Sequence, residues 1–318
     1  MVNDMKINDK FIVLPNRAFR NEYGEPLAIK YKDRFGEAGK SVALIYAYLE
    51  HRRTYLDECY FSIEDMIRKL GCKPETGKGR MNDNFKNVLN CLKEDGYIKT
   101  SIDFTKTNIN KLIDVELIRP ENNFFKLEQY QYDWIMNSKS KSKKNNLFKL
   151  FCAIKSRIAT RHKIENIYDG MYEVAFPSYI TLSKDTGIGQ GNIKKYIDEL
   201  VEMKLIKYSN LGTIYNPSTG ETKECNNTYA IYKKGWEEEL NGSIRLLKQK
   251  LKENGWKLIK KEPDNNIDSL KGKKGYLTKQ INKGIATQEE IEEYKQIENK
   301  LEKRRQNKKQ NNKTKEIA

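Results

Sequence analysis

Two stretches of the chain carry polar and basic side chains at spacings that place them together on the outer face of a helix. In the first stretch these side chains are Arg80, Asn82, Lys86, Asn87 and Asn90. In the second they are Gln190, Asn192, Lys194 and Lys195. Asparagine can form two hydrogen bonds with adenine and arginine two with guanine, while any of the basic side chains can hold a phosphate. These residue types therefore suit the recognition of DNA bases and phosphates.

The elements that must position these side chains repeat at a fixed offset of 108 residues. The apolar residues of the first stretch and their counterparts are Phe85, Leu89, Leu92 and Ile98 against Ile193, Ile197, Leu200 and Ile206. Apolar residues at i, i+4 and i+7 line one face of a helix. Each stretch therefore predicts a helix whose apolar face is buried, followed by a strand that begins at the last aliphatic residue.

The repeat extends to the helix before each of these two. Ser62 and Ser178 each suit the N-cap of a helix, and Gly71 and Gly187 each suit its end. The turn that follows is eight residues longer in the first copy. Helix, turn, second helix and β-hairpin in this order are typical of a winged-helix domain, so the sequence predicts two of them.

A β-hairpin, the wing, is predicted after each second helix. Its strands cover Tyr97–Lys106 and Leu112–Arg119 in the first copy, and Leu205–Tyr215 and a strand near Thr228–Tyr232 in the second. Three lysines on or near these strands are candidates for phosphate or minor-groove contacts, namely Lys99, Lys106 and Lys223.

The length and composition predict an α+β protein with two domains and a tail. A chain of 318 residues fits two domains at roughly 150 residues each. The predicted boundaries are 1–137 for winged-helix domain 1, 138–145 for a Ser/Lys linker, 146–240 for winged-helix domain 2 and 241–318 for a charged tail. The tail is rich in Lys, Asn, Gln and Glu and is expected to be partly helical or disordered.

The charge balance favours a polyanionic partner. Lys and Arg outnumber Asp and Glu by 60 to 44, a formal net charge of +16. Such a surplus attracts nucleic acid, of which double-stranded DNA is the most densely charged common form. No stretch approaches the roughly 18 to 20 apolar residues of a membrane-spanning helix, and the first residues lack the apolar core of a signal peptide. The sequence predicts a cytoplasmic protein that binds DNA and no membrane.

The residues that could support catalysis do not form a recognisable set. Gly39-Lys40-Ser41 resembles the end of a phosphate-binding loop, but Arg34 stands where that loop needs a glycine. We interpret it as a glycine turn with a serine cap. The five cysteines form no Cys-x-x-Cys pair. The two histidines, His51 and His162, are too few for a His-rich metal site, and they do not stand a residue apart as the histidine pair of a rolling-circle initiator does. The sequence predicts no enzyme activity, catalytic residue, cofactor or metal.

The first block resembles the RepA-type N-terminal family of plasmid replication initiators from Gram-positive bacteria. The resemblance covers roughly residues 10–100 and depends on an apolar run ending in proline (Phe11–Pro15), then Lys40 and the aliphatic–tyrosine helix that ends at Arg52-Arg53. It implies a dimer-forming winged helix that binds repeated sites in a plasmid origin and recruits host replication proteins. After residue 145 the chain departs from that family, and two successive winged helices resemble the other broad group of theta-type initiators.

The expected function is sequence-specific binding of double-stranded DNA by a replication initiator, with three alternatives. A transcriptional regulator would use the same fold, although neither block leaves an obvious segment for an effector pocket. A phage replisome organiser or loader would bind a helicase, and a nucleotide-driven enzyme would bind ATP. Within the main hypothesis, the asparagine-rich first copy is expected to select bases and the lysine-rich second copy to hold the backbone.

Overall fold

The structure is a computed structural model that describes residues 10–140, 143–158, 163–164, 167–168, 172–259, 267–282, 288, 290–299 and 301–302. It combines helices with small antiparallel sheets, which confirms the predicted mixture of α and β structure. The chain divides into two compact units. The first contains residues 1–211 and 224–256, and the second contains residues 212–223 and 257–318.

The elements are numbered in chain order. The helices are α1 Leu27–Lys30, α2 Gly36–Lys40, α3 Val42–His51, α4 Ile63–Lys69, α5 Met81–Glu94, α6 Gln129–Asn137, α7 Lys144–Lys155, α8 Tyr179–Thr186, α9 Gln190–Glu202, α10 Trp236–Glu253 and α11 Ile267–Asn282. The strands are β1 Phe11–Pro15, β2 Glu58–Phe61, β3 Ile98–Lys99, β4 Ile113–Leu117, β5 Phe124–Glu128, β6 Lys163–Ile164, β7 Ile167–Tyr168, β8 Val174–Ala175, β9 Ile206–Ser209, β10 Thr213–Tyr215, β11 Thr222–Glu224, β12 Thr228–Ile231 and β13 Lys257–Leu258.

The first unit contains the same topology twice. In one copy α3, β2, α4, α5, β3 and β4 follow one another, and the sheet order is β2-β4-β3. In the other, α7 is followed, after the β6–β7 hairpin, by β8, α8, α9, β9 and β12, and the sheet order is β8-β12-β9. The last strand is central and antiparallel to both neighbours in each copy. The repeat in the sequence is therefore a repeat of topology.

The helices before α5 and α9 have the predicted ends. The hydroxyl oxygens of Ser62 and Ser178 each accept a hydrogen bond from the backbone N–H three residues on, at 3.2 Å and 3.0 Å. Gly71 and Gly187 follow these helices with φ angles of 78° and 66°, a left-handed conformation that glycine adopts without strain. The predicted caps of α4 and α8 are confirmed.

The turn from helix to strand is also repeated. The residue at its centre is Gly96 in the first copy and Lys204 in the second, with φ angles of 70° and 54°. In both, the next backbone N–H donates to the carbonyl of the last buried helix residue, at 2.9 Å to Leu92 and 3.0 Å to Leu200. A left-handed conformation costs a residue with a Cβ about 1 to 2 kcal/mol, so the second copy keeps this turn at a cost the first avoids.

The first wing differs from the prediction. The strand expected over Tyr97–Lys106 ends at Lys99, and the chain then forms a 3₁₀ turn at Phe104–Lys106 that packs against α5. The Asp103 carboxylate accepts from the backbone N–H of Thr105 at 3.0 Å and caps this turn. Phe104 is fully buried. The prediction is wrong here because the apolar side chain gains more by covering α5 than by extending the hairpin.

One continuous hydrophobic core joins the two copies. Helix α7, the first helix of the second copy, packs against α3 and α6 of the first block. The Phe148 ring of α7 lies 6.2 Å from that of Phe19 and 6.0 Å from that of Tyr132, both edge-on. The described residues of the predicted linker, 138–140 and 143–145, therefore lie within a single unit, and one core extends to both sides of them.

A buried ion pair adds a polar connection between the two blocks. The Asp185 side chain in α8 is fully buried, and its carboxylate lies 2.7 Å from the Arg157 guanidinium. The same carboxylate accepts from the backbone N–H of Asn21 at 3.0 Å, and Arg157 also pairs with Glu22 at 2.9 Å. Burial raises the pKa of Asp185, and Arg157 opposes that effect. Because both charges have partners, the segment before α1 is held against α7 and α8.

Helix α10 crosses the predicted start of the tail at residue 241. It belongs to the first unit, where Leu240 is buried with Val174 and Ala230. The second unit contains the sheet β11-β10-β13 and α11, with Ile214 and Leu277 buried. The region predicted as a tail is thus divided between both units.

Candidate nucleic-acid interface

Helix α9 presents the predicted division between a buried and an exposed face. Its apolar residues Ile193, Ile197 and Leu200 are fully buried. Its polar candidates are all exposed, namely Gln190, Asn192, Lys194 and Lys195. Neither Gln190 nor Asn192 has a side-chain hydrogen-bond partner among the described residues, so both amides are available to a ligand.

The beginning of α9 is open. Its N-cap residue is Gly189, no side chain caps the helix, and its first turn carries no acidic residue. Backbone N–H groups at a helix start lack partners within the helix, and the helix dipole places positive charge there. A Cβ added at Gly191 would meet no atom within 4 Å. An anionic group can therefore approach this end closely.

The two lysines of α9 have different surroundings. Lys194 pairs with Asp198 at 2.7 Å, and the hydrogen bond with that carboxylate raises the pKa of Lys194. The pair is exposed and hence weak, so Lys194 can exchange it for a phosphate. Lys195 lines a groove of about 670 Å³ that also contains Trp134 and the acidic Glu199 and Glu202. Lys194 is therefore the better placed of the two for phosphate contact.

The corresponding face of α5 is covered by the chain itself. The Lys86 ammonium donates to the carbonyl of Thr105 at 3.3 Å, and the Asn90 side-chain oxygen accepts from the backbone N–H of Phe104 at 3.2 Å. Lys86 and Asn90 thus hold the 3₁₀ turn that replaces the predicted wing strand. The helical periodicity of α5 could not have predicted these contacts with the 3₁₀ turn. The sequence does show two signals of such a turn, an aromatic residue at Phe104 and the Asp-x-Thr pattern that caps it.

Asn82 does not face outward as predicted. It is 6% exposed, its side-chain oxygen accepts from the Glu75 N–H at 3.0 Å, and its own N–H donates to the Glu75 carbonyl at 3.1 Å. The reason is the longer turn of the first copy, which folds back over the start of α5. Of the five candidates on this helix, Arg80 is exposed at the N-cap, and Asn87 is half-buried without a side-chain partner among the described residues.

The wing lysines lie on two different units. Lys99 of β3 pairs with Glu116 of β4 at 2.9 Å, and Lys106 lies 3.4 Å from Asp103. Hydrogen bonds from Thr105 and the nearby Lys106 lower the pKa of Asp103 to about 2. Lys223 is exposed on β11 in the second unit. Only Lys99 and Lys106 therefore belong to the same compact unit as α5 and α9.

The sequence reasoning missed a basic segment that lies between the two repeated helix pairs. A Cβ added at Gly187, in the turn before α9, would lie 3.6 Å from the Cδ of Lys32. A Cβ added at Gly36 would lie 3.6 Å from the side-chain nitrogen of Asn84, in the first turn of α5. Residues 32–36 therefore lie close to the turn before α9 at one end and to the beginning of α5 at the other.

The Gly39-Lys40-Ser41 sequence has a packing role. A Cβ at Gly39 would lie 2.1 Å from the Tyr31 carbonyl oxygen, so only glycine fits. The preceding helix α2 has five residues, and the Ser41 side chain makes no cap hydrogen bond to α3. Gly39 lies inside a short helix and not in a turn, so both parts of our interpretation, the glycine turn and the serine cap, are wrong.

Comparisons with family models, with curated proteins and with solved structures found no match. Within the described ranges, no helix has the length and apolar character needed to cross a bilayer. No group of three His, Cys, Asp or Glu residues in that part of the chain is arranged to hold a metal ion. The geometry of α9 and its neighbours is therefore the basis for assigning a function.

Proposed function

We propose that the protein is a non-enzymatic, sequence-specific binder of double-stranded DNA and that each topological repeat is a winged helix. The observation that carries this proposal is the exposed face of α9, where Gln190 and Asn192 have free amides beside Lys194 at an uncapped helix start. A recognition helix enters the major groove with such residues against base edges. The strand order with the last strand central, found twice, and the net charge of +16 support the same conclusion.

The two copies have unequal roles in this proposal. The second copy selects bases through α9, while the first contributes mainly backbone contacts through Arg80 and the wing lysines. This is the reverse of what their composition suggested. The support for it is that Lys86 and Asn90 of α5 are bonded to the protein's own backbone, whereas the polar side chains of α9 are exposed.

The biological role proposed for this DNA binding is initiation of replication of a plasmid or similar mobile element. Its support is the resemblance of residues 10–100 to RepA-type initiators, which also suggests a homodimer, origin repeats as targets and recruitment of host replication proteins. Sequencing the DNA fragments that the protein retains from its source genome tests this role. Repeats beside its own gene are expected, and scattered promoters would contradict it.

A transcriptional regulator is the second candidate, and a cavity favours it. The cavity has a volume of about 390 Å³, and its lining includes Arg17, Tyr23, Tyr46 and Tyr97. The Arg17 guanidinium lies over the Tyr97 ring at 4.5 Å. A pocket of this size can hold a small effector. Retention of promoter fragments that depends on an added metabolite extract would favour this candidate.

The DNA-binding proposal predicts different effects for Asn192 and Lys194. Asn192→Ala should reduce discrimination between the selected site and random duplex by about 1 to 3 kcal/mol, because a base contact is lost. Lys194→Ala should weaken both duplexes equally and make the slope of log affinity against log salt shallower by about 0.9, because one phosphate contact is lost. Fluorescence anisotropy with labelled duplexes measures both effects.

Lys248→Ala, on the exposed face of α10, is the control for the loss of one positive charge. It should leave site discrimination and the salt slope unchanged. Equal losses on both duplexes for Asn192→Ala would contradict base recognition by α9. Affinity of the unaltered protein that does not depend on salt would contradict the electrostatic part of the proposal.

A further inference from the structure

Lys149 is a buried lysine without a partner. It lies in α7 and is 7% exposed, and no acceptor among the described residues pairs with its ammonium. Lys155 of the same helix is similarly buried but pairs with Glu128 and Gln131, both at 2.6 Å. A buried charge is costly unless it is paired and hydrogen-bonded. Lys149 lacks the partners that a purely structural lysine would have.

The first turn of α7 fixes where Lys149 lies. The side-chain amide of Asn145 contacts the carbonyl oxygen of Lys40 at 3.5 Å and the hydroxyl of Ser41 at 3.4 Å, at the junction of α2 and α3. Lys149 is four residues after Asn145 and therefore on the same side of α7. The Asn145 side-chain oxygen is buried without a hydrogen-bond partner in the described part of the chain. The Asn145 oxygen needs a donor and not an anion, so the unsatisfied group on this face that an anion can serve is the Lys149 ammonium.

The charges around Lys149 are mainly positive. Lys40 and Lys143 share one carboxylate, that of Glu37, at 3.0 Å and 3.5 Å. Burial lowers the pKa of Lys149 to about 8, and the positive charges of Lys32, Lys40 and Lys143 act in the same direction, with Glu37 opposing them. Lys32 lies 3.9 Å from the carboxylate of Asp33. Four ammonium groups against two carboxylates, those of Glu37 and Asp33, leave a surplus of two positive charges.

We propose that Lys149, together with Lys32, Lys40 and Lys143, binds a phosphate group, which the backbone of bound DNA supplies. The DNA source rests on the proposed function, whereas the site itself does not. A phosphate offers oxygen acceptors to several ammonium groups at once. The site lies beside the segment of residues 32–36, which connects the turn before α9 to the beginning of α5, the two helices assigned to DNA. A phosphate bound at this site would give the Lys149 ammonium the partner that it lacks.

Lys149→Met tests the site, because methionine has a similar length without the charge. Lys248→Met, with the same chemical change on an exposed face, is the control. In the first experiment, melting temperature is measured with inorganic phosphate against chloride at equal ionic strength. The unaltered protein and Lys248→Met should be stabilised by phosphate, and Lys149→Met should not. Without phosphate, Lys149→Met should melt at or above the temperature of the unaltered protein, because an unpaired buried charge has been removed.

The second experiment measures duplex DNA binding by anisotropy over a range of salt concentrations. Lys149→Met should lower the affinity roughly tenfold and make the log–log salt slope shallower by about 0.9, while Lys248→Met should do neither. A response in both experiments supports the DNA backbone as the source of the phosphate. A response to inorganic phosphate alone supports the site with a free anion as its ligand.

Two further outcomes separate failure of this site from failure of the proposed function. If the unaltered protein binds no DNA, the proposed function is wrong. The melting experiment with inorganic phosphate still tests whether Lys149 belongs to a phosphate-binding site. If Lys149→Met matches the unaltered protein in both experiments, the site is wrong. A lower melting temperature for Lys149→Met without phosphate, together with no phosphate response in the unaltered protein, would make Lys149 a structural residue and overturn the proposal.

Discussion

Asn82 stabilises the first copy by holding the long turn against the start of α5. Its side chain is buried and accepts from the Glu75 N–H at 3.0 Å. Asn82→Ala should therefore lower the free energy of unfolding by about 1 kcal/mol, because the part-buried hydrogen bond from the Glu75 N–H is lost. Urea denaturation measures this. Asn87→Ala, on the same helix without a side-chain partner, should change stability by less than about 0.5 kcal/mol, and an equal loss for both variants would contradict the assignment.

Lys149 should make stability depend on pH in the alkaline range. Its pKa is about 8 in the folded protein, against 10.5 ordinarily. Between these values the unfolded chain binds more protons, so stability should rise with pH through this window. Between pH 7 and pH 9.5 the free energy of unfolding should rise by about 2 kcal/mol more for the unaltered protein than for Lys149→Met. Denaturation at the two pH values measures this difference. Parallel pH profiles for the two proteins would show that burial and the charges of Lys32, Lys40 and Lys143 do not lower the pKa of Lys149.

At the scale of the elements, the turns from α5 to β3 and from α9 to β9 offer a matched pair of substitutions. Lys204→Gly should raise the free energy of unfolding by about 0.5 to 1 kcal/mol, because glycine adopts a φ of 54° without strain. Gly96→Ala should lower it by about 1 kcal/mol for the same reason. A Cβ at Gly96 meets no atom within 4 Å, so only the backbone conformation is tested. Changes of the same sign in a denaturant titration would contradict this account.

The repeated helices could be predicted from the sequence because their signals are local. Ser62 and Ser178 act as caps within three residues, and the apolar spacing of α5 and α9 identifies their buried faces. The course of the first wing depends on Phe104, which packs against a helix that precedes it. Lys149, within an otherwise apolar run, was a visible signal of unusual burial, but two of its basic neighbours, Lys32 and Lys40, come from a distant segment. Contacts of this kind have no periodicity to reveal them.

At the scale of the whole molecule, the shared core predicts that both copies of the repeat unfold together. Trp134 lies in α6 of the first block and Trp236 begins α10, which packs on the second copy. Two variants that each keep one of these tryptophans, with Trp256 replaced in both, should give coincident fluorescence transitions in urea, as expected for a single cooperative unit. Far-ultraviolet circular dichroism provides the reference transition. Separate midpoints for the two fluorescence probes would contradict a shared core.

Phe148 belongs to the second copy by sequence and packs with Phe19 and Tyr132 of the first block. The two copies consequently depend on each other for the packing of their core. Recombination that replaced either copy would separate this aromatic cluster and leave apolar surface without its counterpart. Substitutions in the cluster must therefore suit both copies, while the exposed face of α9 can change without affecting it.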